Sequence, residues 1–264
     1  MSIVKDFLLI FLFIYIIYKY VILHQEFVKQ REYFIKTLSH DLRVSTLAQI
    51  RGLEILQKND LPKPLQDLLF DINNSCKYTF DMITMLLDTY RFENGEQVLN
   101  YETFNLSEII NDCIHKISNE AKDKNIDFCS NFKNFEAIYA DKYGFRKIVS
   151  ILIRTALYYS EQNNTILIEM QKKNDFTKFS IIYKGKSLSD EECRRMFSNN
   201  PRFSTVGHGI RMHLCKKIID FHKGKIFVKN HSKDINSFTF IIPSKKEDHE
   251  YKTPILKEFQ TSKI

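Results

Sequence analysis

From Phe7 to Leu23 almost every position is apolar, in the run FLLIFLFIYIIYKYVIL, and Lys19 is its single charge. No polar face interrupts the run, so it predicts a helix apolar on all sides and long enough to cross a bilayer. Lys19 would snorkel to the interface. No small-residue cleavage site follows, which argues against a removed signal peptide. Beyond this run the pattern turns amphipathic. Phe34, Leu38 and Leu42 recur every four residues within a helix expected from Glu26 to Leu56. The stretch Lys58-Asn59-Asp60-Leu61-Pro62-Lys63-Pro64 breaks it, because proline removes a backbone donor and clashes with the preceding turn. A second helix carries Leu65, Leu69, Ile72, Cys76, Phe80, Ile83, Leu87 and Tyr90, spaced mostly by three and four, and Glu93-Asn94-Gly95 closes it. Two helices this apolar cannot bury their stripes alone. Pairing two hairpins into a four-helix bundle would, so a homodimer is expected. A bundle within one chain would need further long amphipathic helices, and the sequence offers none.

From Tyr101 the period changes. Asn105 is a plausible N-cap for a helix running towards Lys124, and Asp141 to Ser160 reads as another helix. Thr165 to Met170 and Lys178 to Tyr183 alternate as paired strands around a polar turn. Ser189 to Phe197 and Gly209 to His222 read as helices, and Lys225 to Lys229 and Ser237 to Ile242 as closing strands. Helices with a mostly antiparallel sheet make an α+β sandwich. The expected organisation is a membrane anchor over residues 1–24, a hairpin over 25–95, an α/β-sandwich domain over 96–243 and a charged tail over 244–264.

Composition changes this picture little. The chain has 264 residues, 44% hydrophobic and 27% charged, with a net charge of +7. The basic residues are spread rather than clustered, so no direct nucleic-acid partner is expected. Five scattered cysteines without a CxxC pair point to a reducing compartment and away from a disulfide framework or a zinc site. Lys29, Arg31 and Lys36 follow the apolar run and only Lys5 precedes it. The excess of positive charge then places the remainder on the cytoplasmic side of a single span.

The candidate chemistry starts at His40, in Ser39-His40-Asp41-Leu42-Arg43. His40 lies two residues from both Leu38 and Leu42, on the other side of the helix, so it is expected to face solvent beside Asp41. This string, on a helix with a helical hairpin after it, resembles the H-box of two-component sensor histidine kinases, and the resemblance extends from about Glu26 to Pro243. It implies a dimeric histidine-phosphotransfer hairpin followed by an ATP-binding domain, with His40 as phospho-accepting nucleophile and Asp41 as base or orienting group. It also implies a response regulator as partner, and ATP and magnesium as cofactors.

The departures from the family pattern are specific. The N-box asparagine that holds magnesium aligns with Thr155 in Thr155-Ala156-Leu157-Tyr158-Tyr159. The first glycine box reads Tyr183-Lys184-Gly185-Lys186-Ser187, with Tyr183 where the family has the aspartate that reads adenine. The second reads Gly207-His208-Gly209-Ile210-Arg211-Met212, with Arg211 in place of the third glycine. Such glycines let backbone amides cradle phosphate at a helix start. Phe197 matches the phenylalanine between the boxes. Losing the adenine-reading carboxylate costs a charge-assisted hydrogen bond, about 1.5–3 kcal/mol. Lys184 and Arg211 could contact phosphates, or be solvated charges in a decayed pocket. On the hairpin, Val44 and Ser45 stand where the family has Thr or Asn and then Pro, which leaves Ser45 or Thr46 to position a hydrolytic water.

Three functions follow from these residues. The favoured one is a membrane-anchored sensor of degenerate type that controls a regulator's phosphorylation mainly as a phosphatase, through His40, Asp41 and Ser45. An autophosphorylating kinase would bind ATP through the positions of Thr155, Gly185, Gly207 and Gly209. A non-catalytic module would only sequester the regulator.

Overall fold

The computed structural model describes residues 2–93, 99–132, 137–173, 175–197, 208–232 and 234–244. The chain separates into two compact units, Met1–Leu87 and Asp88–Ile264.

The first unit is a helical hairpin. Helix α1 runs without a break over Ser2–Leu56, and α2 over Lys63–Glu93. The apolar run and the H-box are thus one helix, and its Ile10–Leu56 portion contains a stretch long and apolar enough to cross a membrane by length and composition. The helices are antiparallel: Glu54 pairs with Lys77 at 3.4 Å, and the Asn73 carboxamide donates to Gln57 at 3.3 Å. The α2 seam is Leu69, Asn73, Cys76, Phe80, Ile83 and Leu87, spaced four and three in strict alternation. Asn73, not Ile72, occupies the seam, and Ile72 is 41% exposed. On α1 the buried positions are Ser39, Thr46 and Ile50. Phe34, Leu38 and Leu42 share one face as the spacing predicts, but within one chain that face is exposed. The seam towards α2 lies one residue further along. The proposed closure of α2 at Asn94-Gly95 lies outside the described residues, as does the tail beyond Ser244.

The second unit is the α+β sandwich. A two-stranded antiparallel ribbon pairs β1 (Tyr101–Phe104) with β3 (Ile138–Asp141). The main sheet contains β2 (Asp127–Asn131), β4 (Thr165–Lys173), β5 (Phe176–Lys184), β6 (Lys225–Ser232) and β7 (Ile235–Pro243), in the order β2-β4-β5-β7-β6. All its pairs are antiparallel except β2 with β4. Strand β5 buries alternate residues Thr177, Phe179, Ile181 and Tyr183. The core joins sheet to helix through aromatic rings: Phe179 stacks on Phe240 at 4.8 Å, and Phe145 meets Phe240 edge-on at 5.3 Å.

The helix expected from Asn105 to Lys124 is two helices, α3 (Leu106–His115) and α4 (Ser118–Asp123). Asn105 caps the first as expected, accepting from the Ser107 amide. Helix α5 (Lys142–Tyr159) is capped by Asp141, and α6 (Asp190–Arg195) by Ser189 in a capping box with Glu192. Helix α7 (His208–Phe221) ends at Lys223, which adopts a left-handed φ of 54°, while the Gly224 amide donates to Ile219.

The last residues of α2 belong to this second unit, for reasons visible in their contacts. Asp88, nearly buried, forms an ion pair with Lys147 of α5, and Phe92 packs edge-on against Phe221 at 5.2 Å.

Candidate functional site

His40 stands on the open side of α1 with 73% of its side chain exposed, and its Nδ1 lies 3.3 Å from the Asp41 carboxylate. The pair is displayed to solvent, as its offset from Leu38 and Leu42 predicts. A carboxylate at this distance can accept the Nδ1 proton, which leaves Nε2 with its lone pair outward as the nucleophilic nitrogen. Of the two hydroxyls that follow it on the helix, Ser45 and Thr46, only one is available. Thr46 is buried and its Oγ1 donates to the Leu42 carbonyl at 2.7 Å. Ser45 is exposed and, four residues from Asp41, shares its helix face. Val44 is 54% exposed and offers no polar atom.

The positions that the family uses for nucleotide lie on α5, the end of β5 and the start of α7. Thr155 is buried, and its hydroxyl donates to the Ile151 carbonyl at 2.7 Å, one turn back on its own helix. It does not fit the role of a magnesium ligand. Among the described residues no group of three or more His, Cys, Asp or Glu could hold a metal ion. Tyr183 is 1% exposed and stacks on Phe238 at 5.3 Å. Its hydroxyl is buried and has no hydrogen-bond partner among the described residues. Burial pushes its ionisation well above the usual phenol range. A buried neutral phenol does not replace an adenine-reading carboxylate.

Gly185 has a different reason for being glycine. A Cβ there would collide with the Tyr159 carbonyl oxygen, because the end of β5 closes on the end of α5 through the Ser160–Gly185 bridge. Its retention therefore follows from packing, whether or not a nucleotide binds. Gly209 lies in the first turn of α7, and Gly207 lies outside the described residues. Lys184 is half-exposed and 3.8 Å from Glu161, a surface pair of small energetic weight.

Three groups hold α5 in place through contacts that the sequence pattern does not show. The Asp141 carboxylate accepts from the amides of Gly144 at 2.5 Å and Asn100 at 2.7 Å. The Asp141 amide donates to Nε2 of buried His222, whose Nδ1 donates to the Ile218 carbonyl at 2.8 Å. Both ring nitrogens are thus committed as in a neutral imidazole, and burial lowers the His222 pKa. At the other end of α5, Lys124 Nζ donates to the carbonyls of Leu157 at 2.9 Å and Tyr158 at 3.0 Å, a cationic cap where the helix dipole is negative. Asp141 was legible as a helix start. Its partner lies 81 residues away and left no local signal.

Residues 140–246 match the family of histidine kinase-, DNA gyrase B- and HSP90-like ATPases. The chain is 26% identical over 223 residues to the sensor protein KdpD of Clostridium acetobutylicum, covering 81% of this chain and 25% of that protein. It is 24% identical over 233 residues to the adaptive-response sensory kinase SasA of Crocosphaera subtropica, covering 83% and 61%. Histidine kinase ThkA, solved in complex with response regulator protein TrrA, matches with a TM-score of 0.57 at 25% identity over 80% of this chain and 61% of that one. The chain spans less than two thirds of the length of these proteins. Residues 140–246 thus carry an ATPase domain of the histidine kinase-, DNA gyrase B- and HSP90-like type, and with an exposed His-Asp pair on the helical hairpin that precedes it the chain is similar to two-component sensor histidine kinases.

Proposed function

We propose that this protein is a membrane-anchored, dimeric sensor that sets the phosphorylation of a cognate response regulator and works chiefly by removing phosphate. The observation that carries the reading is the contrast between its two sites. The His40–Asp41 pair is open to a partner, whereas Tyr183 fills the adenine-reading position with a buried ring and Thr155 has turned its hydroxyl onto its own helix. An aspartyl phosphate on a regulator is itself an activated donor, so its loss requires no ATP. The His40 Nε2 attacks phosphorus, the bond to the aspartate oxygen breaks, and the carboxylate leaves with the electron pair. Water then releases phosphate from the imidazole. Alternatively, Asp41 and Ser45 position water for direct attack.

The anchor reading is supported by the apolar run at the start of α1, where Phe11, Phe13 and Tyr20 are 74%, 65% and 68% exposed. The dimer is supported by Leu38, Leu42, Leu65, Leu68 and Ile72, which are 41–54% exposed on the hairpin. A regulator partner is supported by the complex formed by ThkA. The competing reading is an autophosphorylating kinase, favoured by an ATPase-type match that spans every nucleotide-box position. Incubation with radiolabelled Mg-ATP separates them. The account expects no label on His40 and a dissociation constant in the millimolar range, about −4 kcal/mol. Stoichiometric label on His40 would make the kinase the better reading.

A further inference from the structure

A cavity of about 370 Å³ opens between α6, α7 and the edge strand β6, lined by Cys193, Arg194, Phe197, Lys216, Ile226, Phe227 and Val228. This volume lies within the range of small-molecule sites, roughly 300–1,000 Å³. It includes Phe197, the phenylalanine between the boxes, and borders α7 at Lys216, beyond the glycine-box positions at the start of that helix, but it touches neither α5 nor the end of β5. Its floor is apolar and partly aromatic, with Ile226, Val228 and Phe197 each less than 9% exposed. The segment leading into α6 is fixed to β6, because the Asn230 carboxamide donates to Ser187 Oγ at 2.7 Å and to the Leu188 carbonyl at 3.0 Å.

The charges at the rim point to the ligand class. Lys216 is held by Asp220 at 2.7 Å, and the neighbouring Arg195 is paired with Glu191. Arg194 is exposed and carries no ion pair among the described residues. A guanidinium at the mouth of an apolar, phenylalanine-lined cavity suits a planar carboxylate on a flat ring system. The fork binds both oxygens, and ring edges pack against phenylalanine faces.

We propose that the cavity between α6, α7 and β6 is a binding site for an aromatic carboxylate, with Arg194 binding the carboxylate and Phe197, Ile226 and Val228 enclosing the ring. The site stands apart from the reading of His40 and would exist whichever direction phosphate flows.

Cys193 lines the cavity and reports occupancy, and exposed Cys129 serves as internal control. The full chain in zwitterionic-lipid nanodiscs is alkylated with iodoacetamide at pH 9, because burial pushes the Cys193 thiol up, and each cysteine is followed by mass spectrometry. With 2-naphthoate at ten times a dissociation constant of about 0.1 mM, alkylation of Cys193 should slow about tenfold and saturably. Cys129 should be unaffected, the neutral 2-naphthamide should protect far less, and R194Q should erase the difference between acid and amide. Ligand-observed NMR supplies a second readout, in which Val228→Trp, filling the cavity, abolishes naphthoate binding. No protection at millimolar naphthoate, equal slowing at Cys129, or equal protection by acid and amide would each overturn the proposal.

Discussion

Replacing Tyr183 with phenylalanine removes a single oxygen from the centre of the second unit. The ring stays, and with it the stack on Phe238 and the burial of nearly the whole side chain. The oxygen that leaves is a buried hydroxyl without a hydrogen-bond partner among the described residues. Burying such a group unsatisfied costs about 1–3 kcal/mol, because the hydrogen bonds it makes to water in the unfolded chain are not replaced. Tyr183→Phe should therefore raise unfolding stability by about 1–2 kcal/mol. For a unit of this size that corresponds to a rise in Tm of about 3–6 °C. Restoring the family's carboxylate with Tyr183→Asp should do the opposite. It loses the ring, about 3–5 kcal/mol, and places a carboxylate against Phe238. Thermal unfolding of the two variants beside the parent, followed by circular dichroism, reads both effects. A fall in Tm of more than about 2 °C for Tyr183→Phe would show that the hydroxyl is bonded. The view of this position as a plugged adenine site would then lose its physical basis.

Other changes test the framework that holds α5 and α7. The lowered pKa of buried His222 means that the unfolded chain takes up its proton first as pH falls. Its contribution to stability is therefore complete above the unfolded value of 6.5 and is lost as pH falls below it; unfolding midpoints from pH 7.5 to 5 should drop, and less steeply in His222→Phe. Lys223→Gly should stabilise by about 0.5–1 kcal/mol in denaturant titration, because glycine adopts the left-handed cap of α7 without a Cβ penalty. Gly185→Ala should destabilise by about 3 kcal/mol or more through collision with the Tyr159 carbonyl, in the absence of any nucleotide. Lys147→Met leaves Asp88 buried and unpaired and should cost about 3–5 kcal/mol in the second unit.

Sequence periodicity located the long helices and the paired strands because each buries one face, and burial writes its period into the chain. It did not show which face of α1 meets α2 within one chain. Phe34, Leu38 and Leu42 form a regular stripe, yet the face towards α2 is lined by Ser39, Thr46 and Ile50. Small polar residues allow close helix contact but carry no apolar signal. The short strands β1, β2 and β3 were missed because four or five residues, several of them exposed, show no alternation. The exposure of the candidate pair His40 and Asp41 was legible because it depends on local helix spacing. The site was not legible where it depends on distance: the Asp141–His222 contact, the Lys124 cap and the packing that requires Gly185 all join residues far apart in the chain.

The central claim is that the exposed His40–Asp41 pair, with Ser45 one turn beyond Asp41, takes phosphate from a regulator without help from ATP. It is tested most directly by charging the cognate regulator with a small phosphodonor, removing the donor, and following loss of the aspartyl phosphate with and without the full-length protein in nucleotide-free buffer. The account predicts that decay accelerates by about tenfold or more, that His40→Ala or Ser45→Ala slows it, and that Tyr183→Phe leaves it unchanged. Decay at the regulator's intrinsic rate in the presence of excess protein would contradict the account and leave a module that only binds its regulator.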